Sequence, residues 1–565
     1  MRARHFLISA VLFSLVTATP LAKQAAPAKG AASITEADLK EWLTYIASDA
    51  LQGRATYSEG LGLAAGYISE HLGQWGVKPA GDAGTYLQVV RVVSVKTNTK
   101  ASVTVTVNGE SRAFKDGEGV TFPKQMGGKQ TVTGDQIAFV GYGLQPPSAE
   151  QDDYRDGDPK GKIVVYLGTQ GPANIPQGSF RILSARARAA REEGAIATIG
   201  PATAAPGTGR GATPPAATAT PAPGAPATPG AGRGRGNAAV DNGDFTTVQR
   251  YDAPVTPQLT ADDAFLEFLF SGSDVKYADL KAKLDKREPL PAFSLKGVKL
   301  TIDVDAEYQV VRTRLTHNVV GIVEGSDRKL KDTYVAFGAH YDHVGYRESG
   351  NAGDDLISNG ADDDGSGTVA IMALAKAFAS GPRPKRSLLF VWHAGEENGL
   401  LGSEYMADHP SVPLDKIVAQ LNIDMIGRNR NDDPAAANMV LVVGSDRIST
   451  ELHNINEEAN AAQPTPLMLD YEMNDPADSQ SIYTRSDHYS YASKGIPIIF
   501  YFTGLHPDYH RVSDSVDKII FPKMTRITRL VYTTGFTVAN RDKAPERDNQ
   551  GPRMGKGSSG KLPIK

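Results

Sequence analysis

The sequence predicts a layered α/β protein in which a mixed central β-sheet lies between two layers of helices, with a β-rich region inserted ahead of it. From Val319 onward, short apolar runs alternate with stretches of helical periodicity. These runs are almost free of polar residues, as expected of strands covered on both faces. Upstream, strict alternation of apolar and polar residues indicates a separate sheet-rich region.

The N-terminus has the pattern of a secretory signal peptide. A basic start precedes the apolar run from Phe6 to Val16, and small residues follow around Ala18 and Ala22. We therefore predict a signal peptide within residues 1–22, cleaved after Ala18 or Ala22, and export to the periplasm or the medium. The run is too short to span a bilayer comfortably, so no stable membrane anchor is expected.

Composition excludes several classes of function. The 565 residues carry a net charge of −4, so no basic field exists to recruit nucleic acid. The chain has no cysteine, which excludes disulfides, thiolate metal sites and a cysteine nucleophile. A chain of this length is too long for one ordinary core, so several domains are expected.

Residues 33–110 are predicted to form a helical N-terminal segment that packs on the C-terminal domain. Leu39, Trp42, Leu43 and Ile46 fall at helical spacing there. Residues 111–300 are predicted to form the β-rich insert, and residues 301–540 the α/β domain.

Two stretches of the sequence are predicted to lack regular structure. Residues 201–240 within the insert are almost entirely Ala, Pro, Thr and Gly, and such a composition buries too little apolar surface to offset the entropy of ordering. A polar stretch rich in Gly and Lys, residues 541–565, is predicted to be a flexible tail.

Five apolar runs are the predicted strands of the α/β domain: Tyr334 to Ala339, Ser387 to Trp392, Ile417 to Ile423, Met439 to Val443 and Ile496 to Phe502. Ligands of open α/β sheets bind at the carboxyl ends of the strands. Separate segments deliver one imidazole or carboxylate each toward that edge, and these candidate metal ligands are His340, Asp362, Glu397, Asp424 and His510.

Each candidate ligand alone has an ordinary explanation: a lone His is usually a hydrogen-bonded structural residue, and an Asp-rich turn often caps a helix. Together, two imidazoles and three carboxylates suit zinc, and they are too many for one catalytic ion. If one carboxylate bridges, each of two ions has three protein ligands. The adjacent Glu396 and Glu397 then divide the roles of general base and ligand. Asp342, two residues after His340, is placed to orient its imidazole.

The motifs resemble those of the M28 family of zinc peptidases, in the family's order through the C-terminal half. They are Gly338-Ala-His-Tyr-Asp-His343, Asn359-Gly-Ala-Asp-Asp-Asp-Gly-Ser-Gly367, Gly395-Glu-Glu-Asn-Gly-Leu-Leu-Gly-Ser403, Leu421-Asn-Ile-Asp-Met-Ile-Gly427 and Asp508-Tyr-His-Arg-Val-Ser-Asp514. The resemblance implies that Asp362 bridges two Zn²⁺ ions and joins Asp363 through a cis peptide bond. It also implies Glu396 as the general base. The other ligands would be divided as His340 and Asp424 on one ion, and Glu397 and His510 on the other.

Three further positions bear on this resemblance. Tyr509 matches a tyrosine that stabilises the tetrahedral oxyanion in some relatives, although a packing tyrosine explains it equally well. Arg511 and Val512 depart from the Thr-Pro that is frequent after the ligand histidine, which puts the local shape of the pocket in doubt. Ser486-Asp487-His488 also recurs in the family, where it is more plausibly supporting structure than ligand.

The upstream region is similar to a protease-associated (PA) domain inserted into such peptidases. The stretches that carry this resemblance are Phe139 to Gly143, Asp152 to Tyr154, Lys160 to Leu167 and Ala189 to Ile196. Leu51-Gln-Gly-Arg54 and the helices around it resemble the N-terminal segment of the same group.

The resemblance implies an exported exopeptidase, an aminopeptidase, that acts on peptide substrates. A hydroxide bound to the metals would attack the carbonyl, with Glu396 as general base. A carboxypeptidase, a dipeptidase, or a glutaminyl-cyclase-like acyl transferase on the same scaffold are alternatives, as is a binding protein that retained a PA domain. The sequence does not distinguish zinc from cobalt or manganese, and it leaves the oligomeric state open.

Overall fold

A computed structural model describes residues 29–144, 153–154, 158–175, 180–202, 243–351, 353–476 and 478–564. The predicted signal peptide and residues 203–240 of the predicted disordered loop lie outside these residues, as does Asp152 of the PA-like motifs. Within the described ranges, no helix combines the length and the apolar character that crossing a membrane requires.

The helices and strands fall into three stretches of the chain. The first contains α1 (Glu36–Ile46), α2 (Glu59–Gln74), β1 (Lys78–Pro79) and β2 (Leu87–Thr99). The second contains β3 (Ser102–Val107), β4 (Glu110–Lys115), β5 (Val120–Thr121), β6 (Gln130–Gly134), β7 (Ile137–Val140), β8 (Ile163–Val165), α3 (Phe180–Ser184), α4 (Arg186–Glu192), β9 (Ala197–Pro201), β10 (Phe245–Thr247), β11 (Gln258–Ala261), α5 (Asp263–Leu269), α6 (Tyr277–Asp285), β12 (Ala292–Leu295) and β13 (Val298–Val304).

The third stretch contains β14 (Ala306–Val323), β15 (Tyr334–His340), β16 (Gly345–Tyr346), β17 (Ile357–Ser358), α7 (Gly367–Ser380), β18 (Ser387–His393), α8 (Leu401–Asp408), β19 (Ile417–Ile423), β20 (Met439–Val443), α9 (Thr450–Ala461), β21 (Met468–Asp470), α10 (His488–Ala492), β22 (Ile498–Phe502) and α11 (Phe521–Asn540). All five predicted strands of the α/β domain are present, each within two residues of its predicted ends.

The central sheet has ten strands in the order β10-β2-β14-β18-β15-β19-β22-β20-β21, with β1 also paired to β14. The four strands β18, β15, β19 and β22 are parallel to one another. β14 is antiparallel to β18, and β20 is antiparallel to β22. The sheet is therefore mixed, as predicted, and its four parallel strands end at one edge.

Helices cover both faces of the sheet. Val335 and Phe337 on β15 pack in the same buried cluster as α7, α11 and the N-terminal helices. Ala336, which points to the opposite face, packs with Met406 of α8 and Tyr491 of α10. This alternation follows from the period of two along a strand. The predicted three-layer α/β/α architecture is thus confirmed.

The N-terminal segment contributes both helices and a long strand. Leu39, Leu43 and Ile46 of α1 have no exposed surface and join the main core, as their spacing predicts. The segment is not purely helical, however, because β2 pairs with β14 from Leu87 to Thr99 in the central sheet.

The insert is β-rich and is built from two sheets. One has six strands in the order β12-β7-β8-β9-β11-β5, and the other has four in the order β4-β3-β13-β6. The insert begins before the predicted boundary at residue 111, because β3 already pairs with β13 and β4. The turn between β3 and β4 has positive φ at Asn108 and Gly109, the backbone that a two-residue type I′ hairpin requires.

Residues 541–564 correct the prediction of a flexible tail. The stretch has no helix or strand, yet it lies in contact with the α/β domain. The buried Asp446 carboxylate accepts hydrogen bonds from the main-chain N–H groups of Arg553 (2.6 Å) and Met554 (2.8 Å). Asn454 makes two hydrogen bonds of 2.8 Å each with the main chain of Leu562. Polar side chains of the α/β domain thus hold the tail in place by hydrogen bonds to its main chain.

Deleting residues 545–565 is expected to lower the free energy of unfolding by about 2 kcal/mol or more, because Asp446 and Asn454 lose hydrogen-bond partners where they are buried. The measurement is denaturant unfolding followed by circular dichroism. Deleting only residues 563–565 is the control, since it keeps the bonds to Met554 and Leu562. Equal stability of the two truncated chains would contradict the assigned role of the tail.

Glu404 on α8 gives the stability of the protein a pH dependence. Burial raises the pKa of Glu404 from 4.5 to about 7, and the nearby Asp408 raises it further against the effect of Lys494. Because the folded state disfavours the charged carboxylate, this group lowers the free energy of unfolding as pH rises from 4.5 to about 7.

Glu404→Gln is therefore expected to stabilise the protein at pH 8 by up to about 3 kcal/mol, and to have little effect below pH 4.5. Denaturant unfolding across this pH range measures the difference. The same substitution at the exposed Glu267 is the matched control, and it should change stability by less than about 0.5 kcal/mol. A difference between Glu404→Gln and wild type that does not vary with pH would refute the assignment.

Candidate metal centre

Four of the five candidate ligands meet at the carboxyl edge of the parallel strands. His340 is the last residue of β15, and Asp424 directly follows β19. Glu397 follows β18, and His510 lies in the loop after β22. The parallel register of these strands brings their ends to one place, as the sequence predicts.

Asp363 lies between two groups of nitrogen and oxygen atoms. Its Oδ1 is 3.4 Å from His340 Nε2, which is in turn 3.6 Å from Asp424 Oδ1. Its Oδ2 is 3.1 Å from His510 Nε2, which is 3.0 Å from Glu397 Oε2. One carboxylate therefore contributes one oxygen to each group.

The structure places the central carboxylate at Asp363 and not at Asp362. Asp362 faces away from both groups: its Oδ1 accepts a 2.6 Å hydrogen bond from Gly427 N, and its Oδ2 is 3.3 Å from His506 Nε2. The cis peptide bond likewise joins Asp363 to Asp364, one position later than predicted. Three consecutive aspartates carry no local signal of which side chain points inward, so the prediction was wrong by one residue.

The neighbouring carboxylates fix the loop that carries Asp363. Asp514 accepts hydrogen bonds from the main-chain N–H groups of Asp362 (3.0 Å) and Asp363 (3.1 Å). Asp364 accepts hydrogen bonds from Gly367 N (2.8 Å) and Met425 N (3.1 Å), so it connects the start of α7 to the loop after β19. The chain direction at Asp363 is therefore set by main-chain hydrogen bonds on both sides.

Asp342 differs in detail from the predicted partner of His340. His340 Nδ1 is 3.1 Å from the main-chain oxygen of Asp342, and the nearer carboxylate oxygen is 3.7 Å away. The carboxylate instead accepts hydrogen bonds from Glu396 N (3.1 Å) and Thr56 Oγ1 (2.9 Å). The main chain at Asp342 thus orients the imidazole, whereas its side chain holds the loop that carries Glu396.

Glu396, the predicted general base, lies next to the first group. Its Oε2 is 4.0 Å from His340 Nε2, and its side chain is 14% exposed. Burial raises the pKa of Glu396 well above its ordinary value against the effect of His340, and the carboxylates of Glu397 and Asp424 raise it further. A carboxyl group in this environment readily accepts and holds a proton.

Tyr509 stacks on the ring of His510, with 3.9 Å between ring centroids. Burial raises the pKa of Tyr509 well above its ordinary value, and the Asp363 and Glu397 carboxylates add to the shift. The hydroxyl therefore keeps its proton at neutral pH. Beside the two groups, a recess is lined by Arg485, by Ser486 and by the apolar or aromatic side chains of Met425, Ile482, Phe500, Phe502, Leu505 and Tyr509.

Arg54 supplies a buried positive charge behind the centre. Its guanidinium has no exposed surface and donates hydrogen bonds to the main-chain oxygens of Tyr341 (2.9 Å) and Gly360 (3.0 Å). It also donates to the main-chain oxygens of Ile46 and Asn359. The sequence pattern identified the stretch around Arg54 but not this role, because the contacts with Tyr341, Asn359 and Gly360 join segments about 300 residues apart.

His343 is a residue of the centre that sequence reasoning did not select. Its Nδ1 is 2.9 Å from Glu397 Oε1 and 3.6 Å from Asp363 Oδ2. The only sequence signal is its position three residues after His340, at the end of the same motif.

The buried polar atoms of the centre fit a divalent metal. Asp363 Oδ2, Glu397 Oε1, His343 Nδ1 and His510 Nε2 are buried and make no hydrogen bond to any described residue. Buried polar atoms are normally satisfied, so a convergent set of unsatisfied donors and acceptors indicates a bound ion. Although burial lowers it, Asp363 and Glu397 raise the pKa of His510 to about 10, which shows that the carboxylates attract positive charge strongly.

The comparison with protein families finds a match that covers this centre. Residues 318–534 match the family model described as "Peptidase family M28". The match spans the motifs on which the resemblance was predicted, including every residue of the two groups around Asp363.

Individual relatives share this region. A "Probable leucine aminopeptidase" of Arthroderma benhamiae is 30% identical over 233 residues, which cover 39% of this chain and 57% of that protein. A "Probable zinc metalloprotease" of Pyrenophora teres f. teres is 35% identical over 115 residues, which cover 20% of this chain and 23% of that protein. The chain thus spans little more than half the length of the first relative.

Solved structures that align with this chain include an aminopeptidase from Aneurinibacillus sp. strain AM-1. It is 19% identical, with coverage of 93% of this chain and 98% of that chain and a TM-score of 0.42. The LapA aminopeptidase of Legionella pneumophila is 27% identical, with coverage of 40% of this chain and 57% of that chain and a TM-score of 0.32.

The position of Asp363 predicts opposite results for two adjacent substitutions of the same kind. Asp363→Asn is expected to weaken zinc binding by more than about 100-fold, because it removes charge and ligand capacity between the two groups. Asp362→Asn is expected to leave zinc binding unchanged. Elemental analysis after dialysis against a zinc buffer measures both, and loss of zinc from Asp362→Asn alone would reverse the assignment.

Proposed function

We propose that this chain is an exported exopeptidase that removes N-terminal residues from peptides with the help of two zinc ions. The observation that carries the proposal is the Asp363 carboxylate between two groups of imidazole and carboxylate donors, with the Glu396 carboxyl group beside them. The names of the curated relatives, leucine aminopeptidase and zinc metalloprotease, support the same class of reaction.

The residues that would hold the metal pair follow from the two groups. His340 and Asp424 would bind one ion, Glu397 and His510 the other, and Asp363 both. Nitrogen and oxygen donors in these numbers suit zinc, although cobalt and manganese accept similar ligands. When bound, such a pair supplies Lewis acidity, which lowers the pKa of a water molecule and polarises the scissile carbonyl.

Glu396 would carry the proton during hydrolysis. Its raised pKa suits a group that takes a proton from the attacking water and passes it to the leaving amine. The hydrogen bond from its main-chain N–H to Asp342 fixes the carboxyl group in this place. Tyr509, with its proton retained, would donate a hydrogen bond to the oxyanion of the tetrahedral intermediate.

The recess beside the centre would bind the side chain of the N-terminal residue. Its lining by Met425, Ile482, Phe500 and Phe502 favours apolar side chains, because burial of apolar surface drives their binding. The proposed substrates are therefore peptides with an apolar N-terminal residue. No role for nucleic acid is proposed, in keeping with the net charge of −4.

Export and the nature of the insert also belong to the proposal. The pattern of residues 1–22 supports a cleaved signal peptide, and N-terminal sequencing of the mature protein would show whether the chain begins after Ala18 or Ala22. The two-sheet architecture of the insert supports the PA resemblance.

Glu396→Gln is expected to keep both zinc ions and to lower kcat by at least about 100-fold, because it removes the proton carrier but no proposed ligand. Hydrolysis of leucine p-nitroanilide and elemental analysis of the same sample provide the two readings. Glu404→Gln, the same substitution outside the centre, is the matched control. Full activity of Glu396→Gln would refute the role given to this residue.

Substrates with one end blocked separate this proposal from its alternatives. An aminopeptidase cleaves C-terminally amidated peptides and leaves N-acetylated ones intact, whereas a carboxypeptidase does the reverse and a dipeptidase requires both ends free. Cyclisation of N-terminal glutamine would instead indicate an acyl transferase. Activity should disappear with a chelator and return with zinc. Binding of two ions without any of these activities would favour a binding protein.

A further inference from the structure

We propose that His343 is a fourth protein ligand of one ion of the pair, so that the two metal sites are unequal. One site would be closed by four protein side chains, and the other would keep an open position. The inference rests on the proposed function only in requiring a divalent metal pair, and it would hold for any reaction catalysed there.

The His343 ring is held in place without a hydrogen bond. The side chain is 1% exposed, and neither ring nitrogen forms a hydrogen bond with any residue that the structure describes. Its main-chain N–H donates to Arg54 O at 3.1 Å. The ring packs against Gly360, where a Cβ atom would come within 2.5 Å of His343 Cγ. A buried imidazole that is fixed in position but has unsatisfied nitrogens requires an explanation.

The distances around His343 match a set of four metal ligands. His343 Nδ1 is 2.9 Å from Glu397 Oε1 and 3.6 Å from Asp363 Oδ2. His510 Nε2 is 3.1 Å from that Asp363 oxygen and 3.0 Å from Glu397 Oε2. Ligands at 2.0–2.1 Å from a tetrahedral zinc ion are about 3.3 Å apart. His343, Asp363 and Glu397 thus have donor atoms within 4.8 Å of one another, and His510 Nε2 lies 3.1 Å from Asp363 Oδ2 and 3.0 Å from Glu397 Oε2.

The other group has three side chains at such separations. Asp364 also lies within 4.8 Å of His340 and Asp424, but its Oδ1 is engaged by hydrogen bonds from Gly367 N and Met425 N. His340 Nε2 lies 3.4 Å from Asp363 Oδ1 and 3.6 Å from Asp424 Oδ1. The next carboxylate oxygen, Glu396 Oε2, is 4.0 Å from the same nitrogen. Structural zinc sites are usually closed by four protein ligands, whereas catalytic sites keep a position for water or substrate. The ion near His340 and Glu396 is therefore the exchangeable one, and the ion near His343 is the tightly held one.

A competing role for His343 is a hydrogen bond from Nδ1–H to Glu397, which would orient that carboxylate without binding metal. Both roles predict some loss of metal affinity when His343 is removed. They differ in whether an atom at this position bonds directly to the ion, so the experiment must detect that bond.

The first measurement is zinc binding to the full chain in competition with a chromophoric chelator. Wild type should bind two ions with clearly different affinities, and His343→Ala should weaken the tighter one by more than about 100-fold. His506→Asn is the matched control, because His506 is also buried, lacks hydrogen bonds to described residues and faces Asp362. Unchanged tight binding in His343→Ala, or an equal loss in His506→Asn, would overturn the proposal.

The second measurement detects the bond itself in His343→Cys. Nδ1 is the ring nitrogen nearer the main chain, and a thiolate reaches a similar point because its bond to metal is longer, about 2.3 Å. The chain has no other cysteine, so any thiolate-to-cobalt charge-transfer band in the Co²⁺-loaded variant must come from position 343. We expect this band to appear with the binding of the first cobalt ion. Its absence from a folded, cobalt-loaded variant would overturn the proposal.

These readings separate the inference from the proposed function. Both follow metal directly, so they remain valid if no peptide is cleaved. If the two zinc ions bind with different affinities and the charge-transfer band appears, but no peptide is cleaved, the proposed function is refuted and the role of His343 is supported. Peptidase activity, with two zinc ions bound at equal affinity and no charge-transfer band in His343→Cys, would support the function and refute the role of His343. If His343→Ala does not fold, His343→Cys alone decides.

Discussion

The concentration of buried carboxylates at one edge of the central sheet is the constraint on which the rest of this structure depends. Asp363, Asp364, Glu397 and Asp424 are brought together with little access to water. Like charges at this spacing repel strongly where water does not screen them. The surrounding structure therefore has to supply positive charge and N–H donors from every side.

The compensation comes from several parts of the chain. Arg54 brings a guanidinium from the N-terminal segment, and imidazoles arrive from the ends of β15 and from the loop after β22. Main-chain N–H groups also donate hydrogen bonds to neighbouring carboxylates, as at Asp362 and Asp364. The N-terminal segment thus packs on α7 and also supplies a positive charge that offsets the carboxylates of the centre.

The fold was largely predictable because its signals are local. Strands such as Ile417–Ile423 are buried on both faces, and so they read as unbroken apolar runs. The site was predictable only to the level of segments. Contacts with Asp514 decide which of the three consecutive aspartates points inward. Contacts with Thr56 help to decide whether the side chain or the main chain of Asp342 orients His340. Both Asp514 and Thr56 lie far away in the sequence. The fixed position of the C-terminal tail depends likewise on hydrogen bonds with Asp446 and Asn454, which are distant in the sequence.

The antiparallel pairing of β2 and β14 has a consequence for how such a chain came about. The insert leaves the α/β domain at the end of β2 and returns at the start of β14, where Thr99 and Ala306 are opposite one another. The two ends of the insert are thus already as close as the two ends of a hairpin turn. Lengthening a connection whose ends are held together adds little to the entropy of closing it. A whole domain could therefore be acquired, exchanged or lost at this point in evolution with little disturbance to the sheet, save for the short edge strand β10 that returns to it from within the insert.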